Sequence, residues 1–314
     1  MLNRRHIRIK VMQSIFAFSG TEGDDLKKDE KFLFTSIEKI SDLYLAILSL
    51  LIELQKKANS KLEISQKKLL ATSEDINPNR KFADNQVLSS ISNNAAIKDI
   101  IAKRKLNFWD LDFEYVDLVY KAIINSDLYK EYMAEGPSSF KEDKDFVVDI
   151  YTDIIAPNDK LFEYFEDKQI SWVDDLPVVN TTIVRKLTKL KPTKPEAFFM
   201  PQLFKDDEDK VFAKDLLIKT LLNSTKFKDE IAAKTTNWDA ERLASLDNVI
   251  LQMAICEFQK FPSIPVKVTI NEYLEIAKEY STPKSSVFIN GILDKIIKEY
   301  RAKNIHNKIG RGLM

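Results

Sequence analysis

Residues 30–57 read EKFLFTSIEKISDLYLAILSLLIELQKK, and the spacing of their apolar positions decides the fold class. Apolar residues recur every three or four positions, which lays them along one face of a helix. The inward set comprises Ile37, Ile40, Leu43, Tyr44, Ile47, Leu48, Leu51 and Leu54. An earlier helix is predicted from the same spacing at Ile7, Val11, Ile15 and Phe18. Because the sequence has no convincing alternating strand pattern, it predicts an all-α protein.

Helical periodicity continues through most of the remaining sequence. Residues 58–94 are polar and residues 191–202 contain three prolines, so both are predicted to interrupt the helices. Asp239 is the expected N-cap of a late helix. The further predicted helices span residues 110–124, 143–155, 159–166, 177–190, 207–222, 226–235, 239–260, 269–280 and 285–303.

The 314 residues include only six glycines, one cysteine and two histidines. So few glycines argue against glycine-rich nucleotide loops and against turn-dense β folds. Cys256, His6 and His306 are too few for a disulfide or a structural zinc site. Cys256 lies on an apolar helix and is predicted to be a buried small hydrophobe. We therefore expect no cofactor, no metal and no enzymatic activity.

The sequence predicts neither a membrane span nor a targeting segment. Its longest apolar stretch, residues 43–54, is interrupted by Ser49 and Glu53 and is too short to cross a bilayer. No apolar signal region follows the N-terminal arginines. Together with the single thiol, these features predict a cytoplasmic protein without a membrane partner.

Charge is distributed unevenly along the chain. There are 48 Lys and Arg residues and 48 Asp and Glu residues, so the formal net charge is zero. The first twenty residues nevertheless hold four basic residues and no acid, and residues 294–314 hold six basic residues and two acids. These two basic ends form one patch if the chain termini lie close together. Residues 141–175 hold eleven acids and four lysines, which favours a solvated face that repels RNA and could dock a basic partner.

Five blocks of sequence match one known family, and the two long C-terminal blocks lie in the family's order and spacing. They are RRHIR at 4–8, LDNVIL at 246–251, IPVKVTINE at 264–272, IAK at 276–278 and FINGILDK at 288–295. These blocks, with Glu257 after the second, resemble the NusB family of transcription antitermination factors. The resemblance covers residues 1–50 and 205–303.

The resemblance implies an all-helical fold of two small three-helix bundles packed together, without catalytic activity. It also implies binding to the boxA element of ribosomal RNA leader transcripts together with NusE, a ribosomal small-subunit protein that doubles as a transcription factor. The resulting complex helps RNA polymerase read through terminators. The expected RNA contacts are Arg4, Arg5, Arg8 and Phe288, and the residues expected on or near the NusE surface are Asp247 and Lys284.

The domain organisation is predicted as four segments. They are NusB-like N-terminal helices at 1–57, an inserted and mostly helical region at 58–204, a NusB-like C-terminal bundle at 205–303 and a basic tail at 304–314. The inserted region is acidic in its second half and has no counterpart in a minimal family member. Single residues also depart from those that the family usually carries at these positions, namely His6, Ile9, Gln252 and Lys284.

Several of these residues have structural explanations as well. Phe288 could stack on an unpaired base, or it could join the core through its helical spacing with Ile292 and Ile296. Lys267 and Glu272 are interpreted as structural residues of the predicted 269–280 helix. The basic and aromatic residues at 103–109 have the composition of a nucleic-acid contact, but we interpret them as a helix end that packs Trp109.

Two other functions are compatible with the same core. One is a helical protein-interaction module that kept the NusB core without RNA binding. The other is an RNA-modifying enzyme, because some ribosomal RNA methyltransferases carry a NusB-like domain. Such enzymes need a separate glycine-rich cofactor domain, and the sequence contains no stretch that could supply one.

Overall fold

The computed structural model describes residues 1–18, 25–194, 196–235, 245–303 and 308–309. The helices are α1 Arg4–Phe18, α2 Leu26–Gln66, α3 Ser73–Ile76, α4 Gln86–Ser92, α5 Ala95–Arg104, α6 Phe108–Leu111, α7 Phe113–Asn125, α8 Asp127–Ala134, α9 Phe140–Ile150, α10 Asp159–Lys168, α11 Trp172–Lys189, α12 Asp207–Leu222, α13 Ser224–Ala232, α14 Ser245–Lys260, α15 Val266–Tyr280 and α16 Ser285–Ala302. A π-helical turn, Tyr151–Ile155, follows α9, and a 3₁₀ turn, Glu196–Phe199, lies between α11 and α12. The described residues form no strand, and the predicted all-α class is confirmed.

The chain divides into two compact units. The middle unit comprises residues 38–203 together with Met1, and the terminal unit comprises residues 2–37 and 204–314. The first boundary therefore falls within α2. This division by compactness differs from the four predicted segments, which remain a prediction.

The terminal unit is built around α14. Helices α1, α12, α13, α15 and α16 all pack against α14. Every residue from Val249 to Phe258 is buried, as expected for a helix at the centre of a bundle. Cys256 lies in this run and is buried, as predicted. Glu257 is the acidic residue of the run, and a buried carboxylate requires a partner.

The core of the middle unit is formed by α2 and by aromatic residues around it. Residues 43–52 of α2 are all buried. Trp109 stacks on Tyr164 with ring centroids 5.3 Å apart, and its Nε1 donates a hydrogen bond to the Ala46 carbonyl at 3.1 Å. The interpretation that Trp109 packs a helix end is therefore confirmed.

Helix boundaries match the sequence best where the apolar spacing is regular. Helix α12 covers the predicted residues, and α16 ends one residue before its predicted end. Helix α2 runs from Leu26 to Gln66, longer than predicted, because its polar residues continue the helix beyond the apolar stripe. The predicted N-cap Asp239 and His306 lie outside the described residues.

Four short helices of the middle unit, α3, α4, α5 and α8, were not predicted, and α3 and α4 lie in residues 58–94, which were wrongly predicted to interrupt the helices. Helix α5 begins after Asn94, whose side chain accepts a hydrogen bond from the Ile97 amide. Helix α8 begins after Ser126, whose hydroxyl accepts one from the Tyr129 amide. N-caps of this kind stabilise a helix start by about 1 kcal/mol, which an apolar-periodicity search does not detect. In the described part of the chain, no helix combines the length and apolar character needed to cross a membrane.

Candidate nucleic-acid interface

The first two turns of α1 place three arginines on the surface and in the interior of the terminal unit. The side chains of Arg4 and Arg5 are 41% and 39% exposed, whereas that of Arg8 is 2% exposed. Arg4 and Arg8 lie one helical turn apart, so their difference comes from what packs against each turn. Arg8 meets α14 and α15, and Arg4 lies next to α12.

Arg8 is held in the core by a carboxylate of α14. Its Nε donates to Glu257 Oε1 at 2.6 Å and its Nη2 donates to Oε2 at 3.0 Å. Two residues of α15 complete the carboxylate's shell, since the hydroxyls of Thr269 and Tyr273 donate to it at 3.1 and 2.9 Å. Four hydrogen bonds thus satisfy a carboxylate that is fully buried.

Electrostatics keep the buried guanidinium of Arg8 charged. Burial by itself lowers the pKa of Arg8, but the carboxylate of Glu257 outweighs it and holds that pKa above its ordinary value. Burial, reinforced by the nearby Glu257, raises the pKa of Tyr273 well above its ordinary value, so its hydroxyl remains a donor. The pair and its two hydroxyl donors therefore fix α1 onto α14 and α15.

Arg5 makes a similar pair at the surface. Its Nε and Nη2 donate to the two oxygens of Glu272 on α15, both at 2.9 Å. The hydrogen bond from Arg5 lowers the pKa of Glu272, and the same bond raises the pKa of Arg5. The Nη1 group of Arg5 has no hydrogen-bond partner among the described residues. Arg5 therefore keeps one face of its guanidinium available to a ligand.

Arg4 is paired on the other side of α1. Its Nε donates to Asp209 of α12 at 3.0 Å, and its guanidinium lies 5.1 Å from the ring centroid of Phe212. Glu208 approaches within 3.9 Å. Arg4 is thus held by a carboxylate and a cation–π contact while part of its side chain remains exposed.

The arginines border two open clefts of the terminal unit. One, of about 650 Å³, is lined by Asn3, Arg4, Arg5, Arg8, Ser263, Ile264, Pro265, Val268 and Glu272. The other, of about 720 Å³, is lined by Leu2, Asn3, Arg4, Lys205, Asp206, Glu208, Asp209, Ser263 and Ile309. The IPVKVTINE segment, residues 264–272, therefore supplies a wall of the first cleft.

Two of the four predicted RNA contacts, Arg4 and Arg5, line these clefts with an exposed guanidinium. The guanidinium of Arg8 pairs with Glu257 instead and has almost no accessible surface. The geometry therefore does not support a direct RNA contact for Arg8. Phe288 is half-buried on α16 and is not among the lining residues of either cleft.

The two residues predicted near a protein partner lie at one corner of the terminal unit. Asp247, at the start of α14, is 5% exposed and accepts hydrogen bonds from the hydroxyls of Ser281 and Ser285 at 2.5 and 2.8 Å. Lys284 precedes Ser285 and is exposed at the N-cap position of α16. Asp247 thus holds the α15–α16 turn, and Lys284 is the accessible member of the two.

Sequence reasoning missed the groups that decide which arginine is exposed. Glu257 enters the family resemblance without a role of its own, although a single acid inside an otherwise apolar buried helix indicates an internal cation. Lys308 was counted in the basic tail, but it is buried and donates to the carbonyls of Glu257 and Phe261, both at 3.0 Å. Burial lowers the pKa of Lys308 to about 8.

Comparisons with known proteins match residues at the end of the middle unit and most of the later part of the terminal unit. The family model described as "NusB family" matches residues 184–298. The chain is similar to proteins named "Transcription antitermination protein NusB" from three bacteria. In Salinibacter ruber the identity is 38% over 112 residues, covering 36% of this chain and 70% of the relative. In Chloroherpeton thalassium it is 42% over 106 residues, covering 32% and 50%.

The third relative, from Koribacter versatilis, is 42% identical over 98 residues, covering 31% of this chain and 67% of that protein. No solved structure matches the chain significantly. The family-model match begins at residue 184, so the resemblance of residues 1–50 remains a prediction. The matched range includes α12 to α15 and most of α16, and three of these helices, α12, α14 and α15, contact the arginines of α1.

Proposed function

The chain belongs to the NusB family, and we propose that it is a transcription antitermination factor that binds boxA-type RNA of ribosomal RNA leader transcripts together with NusE. The three relatives are named transcription antitermination proteins, and the family is not one of enzymes. Within the proposal, the complex acts on RNA polymerase and supports transcription of ribosomal RNA operons. One observation carries the RNA claim: α1 presents two half-exposed arginines over an open cleft walled by the family-like 264–272 segment.

Arg5 and Arg4 are the residues proposed to contact phosphates. An exposed guanidinium in an open cleft can form charge-assisted hydrogen bonds to phosphate oxygens, with loss of counterions from the RNA. Arg8 acts one turn further along as a positioning residue, because its pair with Glu257 fixes the helix that carries Arg4 and Arg5. Phe288, half-buried on α16, is proposed to stack on an unpaired base.

The corner formed by Asp247 and Lys284 is the proposed NusE surface. Lys284 is exposed and can pair with a carboxylate of the partner. Asp247 has little accessible surface, so its proposed part is to hold Ser281 and Ser285, and with them the turn that presents Lys284. Some family members carry an Asp where this chain has Lys284, so the lysine predicts a partner surface of more acidic character.

The test is a titration of boxA RNA into the full chain, with and without NusE, at two salt concentrations. We expect Arg5→Ala to weaken binding several-fold and to lower the salt slope by about 0.7, the loss of one contact to single-stranded phosphate. Arg80→Ala is the matched control, since Arg80 is 43% exposed and makes an equally bidentate pair with Asp84, but lies in the middle unit. RNA binding that is absent at low salt, or equal effects of the two substitutions, would refute the RNA proposal.

One observation favours a second function. All three arginines of α1 are already paired with carboxylates of the protein itself, which lowers the charge they offer to RNA. A protein-interaction module that kept the NusB core would need no exposed cation in the cleft. In the same titration, NusE that binds the chain without any measurable RNA affinity would establish this alternative.

A further inference from the structure

The middle unit contains a cavity that the proposed function does not use. Its volume is about 210 Å³, and its walls come from α2, the π-helical turn, α10 and α11. The lining is largely apolar and includes Ile47, Leu50, Leu161, Phe165 and Leu176. Phe162 also lines it and is 42% exposed, which marks the opening to solvent. Because an apolar cavity of roughly 150 Å³ can take up benzene, this one has room for a single substituted ring.

One wall of the cavity is formed by an irregular helix. The amide of Ala156 donates to the carbonyl of Tyr151 at 2.8 Å, five residues earlier, instead of to the residue four before it. Both residues line the cavity. A π-helical turn widens the helix by one residue at a cost in packing, and such turns are concentrated at functional sites.

The opposite helix is irregular at the same cavity. Pro177 lies inside α11 and has no amide hydrogen, so the Val173 carbonyl loses its usual donor four residues on. Val173 and Pro177 both line the cavity. Two separate helices thus depart from regular hydrogen bonding where they line the same space, which a simple packing defect does not require.

Two amide side chains line this cavity, and that of Asn158 is engaged as the N-cap of α10, where its Oδ1 accepts the Leu161 amide at 3.1 Å. The Tyr151 hydroxyl donates to Asn180 Oδ1 at 2.7 Å, and both residues line the space. Burial raises the pKa of Tyr151 well above its ordinary value, so the hydroxyl remains a donor and fixes the amide orientation. Asn180 Nδ2 then has no hydrogen-bond partner among the described residues. The lining contains no Asp, Glu, Lys, Arg or His, so a charged ligand would lose its hydration without compensation.

We propose that this cavity is a binding site for a small, neutral, apolar molecule of the size of a monosubstituted benzene that carries one hydrogen-bond acceptor. The apolar walls take the ring, and Asn180 Nδ2 donates to the acceptor. The proposal concerns the middle unit alone and is independent of RNA binding by the terminal unit.

Two isosteric probes test the proposal on the full chain. Acetophenone has a carbonyl oxygen where α-methylstyrene has a methylene group, so the pair differs in the acceptor alone. In ligand-observed NMR titrations we expect both probes to bind saturably, and acetophenone to bind about fivefold more tightly, the worth of one hydrogen bond. Failure of both probes to saturate, or a preference for α-methylstyrene, would overturn the proposal.

Variants separate this site from non-specific uptake. Asn180→Leu should remove the preference for acetophenone while α-methylstyrene still binds, and Ala156→Leu should abolish binding of both probes by filling the space. Ala102→Leu is the matched control, since Ala102 is an exposed helical alanine of the middle unit outside the lining. Circular dichroism checks that each variant is folded. Unchanged binding in folded Ala156→Leu rejects the site, and if that variant does not fold, the Asn180→Leu result decides.

Discussion

Arg5 and Arg8 lie one turn apart on the same helix and make bidentate pairs of nearly the same geometry, but their surroundings are opposite. Arg8 and Glu257 are 2% and 0% exposed, whereas Arg5 and Glu272 are 39% and 22% exposed. A buried pair cannot lose one partner without leaving an uncompensated charge, whereas water can replace either partner of a surface pair. The Arg8–Glu257 pair therefore stabilises the fold, whereas in the Arg5–Glu272 pair a ligand can take the place of Glu272.

The largest difference between the two pairs is expected when the buried carboxylate of Glu257 is removed. We expect Glu257→Ala to lower the free energy of unfolding by about 3–5 kcal/mol, because the buried charge of Arg8 then has only the carboxylate of Glu272, 3.8 Å from its Nη1, in place of a bidentate partner. Urea denaturation followed by circular dichroism measures the change. The double variant Arg8→Met with Glu257→Leu should recover most of the loss, since matched apolar residues replace a buried pair well.

The matched surface substitution is the control for that experiment. Glu272→Gln should change the free energy of unfolding by less than about 1 kcal/mol. Equal losses for Glu257→Ala and Glu272→Gln would show that exposure does not distinguish the two pairs.

A smaller effect is expected on RNA affinity, and it depends on the proposed function. Glu272→Gln removes the negative charge that competes with phosphate for Arg5, so boxA RNA should bind about two- to fivefold more tightly at low salt. Asp84→Asn, which frees Arg80 of the middle unit, should leave the affinity unchanged. An affinity that falls in Glu272→Gln would show that Glu272 holds Arg5 in the orientation that binds RNA.

The smallest expected effect is the pH dependence of stability that the buried Lys308 causes. Lys308 has a pKa of about 8 in the folded chain, below the ordinary value of 10.5, because burial disfavours its charge. Between these two values the unfolded chain binds the additional proton, so the contribution of Lys308 to stability rises with pH from about 8 to 10.5 and is level below 8. Melting temperatures measured against pH should show this rise in the native chain and lack it in Lys308→Met. Parallel curves for the two proteins would exclude the shift.

The sequence predicted the fold class and most long helices because their apolar spacing is a local property of the chain. It also predicted the basic start of α1 and the burial of Cys256. It did not separate Arg5 from Arg8, because the partner that buries Arg8 lies 249 positions away. Spacing along one helix gives the direction of each side chain, but not which helix covers that direction.

Part of the missing information was nevertheless present in the sequence. Glu257 lies within a run of α14 that is otherwise suited to burial, and a lone carboxylate there predicts an internal cation. By contrast, the Pro177 position inside α11 could not be foreseen. Proline is usual at the first position of a helix, and the sequence therefore favoured a start at residue 177.

The pair between Arg8 and Glu257 also has a consequence for the order of folding during synthesis. Ribosomes add about 5–20 residues per second, so roughly 10 to 50 s pass between the synthesis of Arg8 and that of Glu257. During that interval α1 exposes Ile7, Val11 and Ile15, which are buried in the finished chain. The middle unit is synthesised in the meantime and can complete its own core first. Helix α1 is thus made well before the helices that cover it, and it takes its final place only after α14 and α15 have been synthesised.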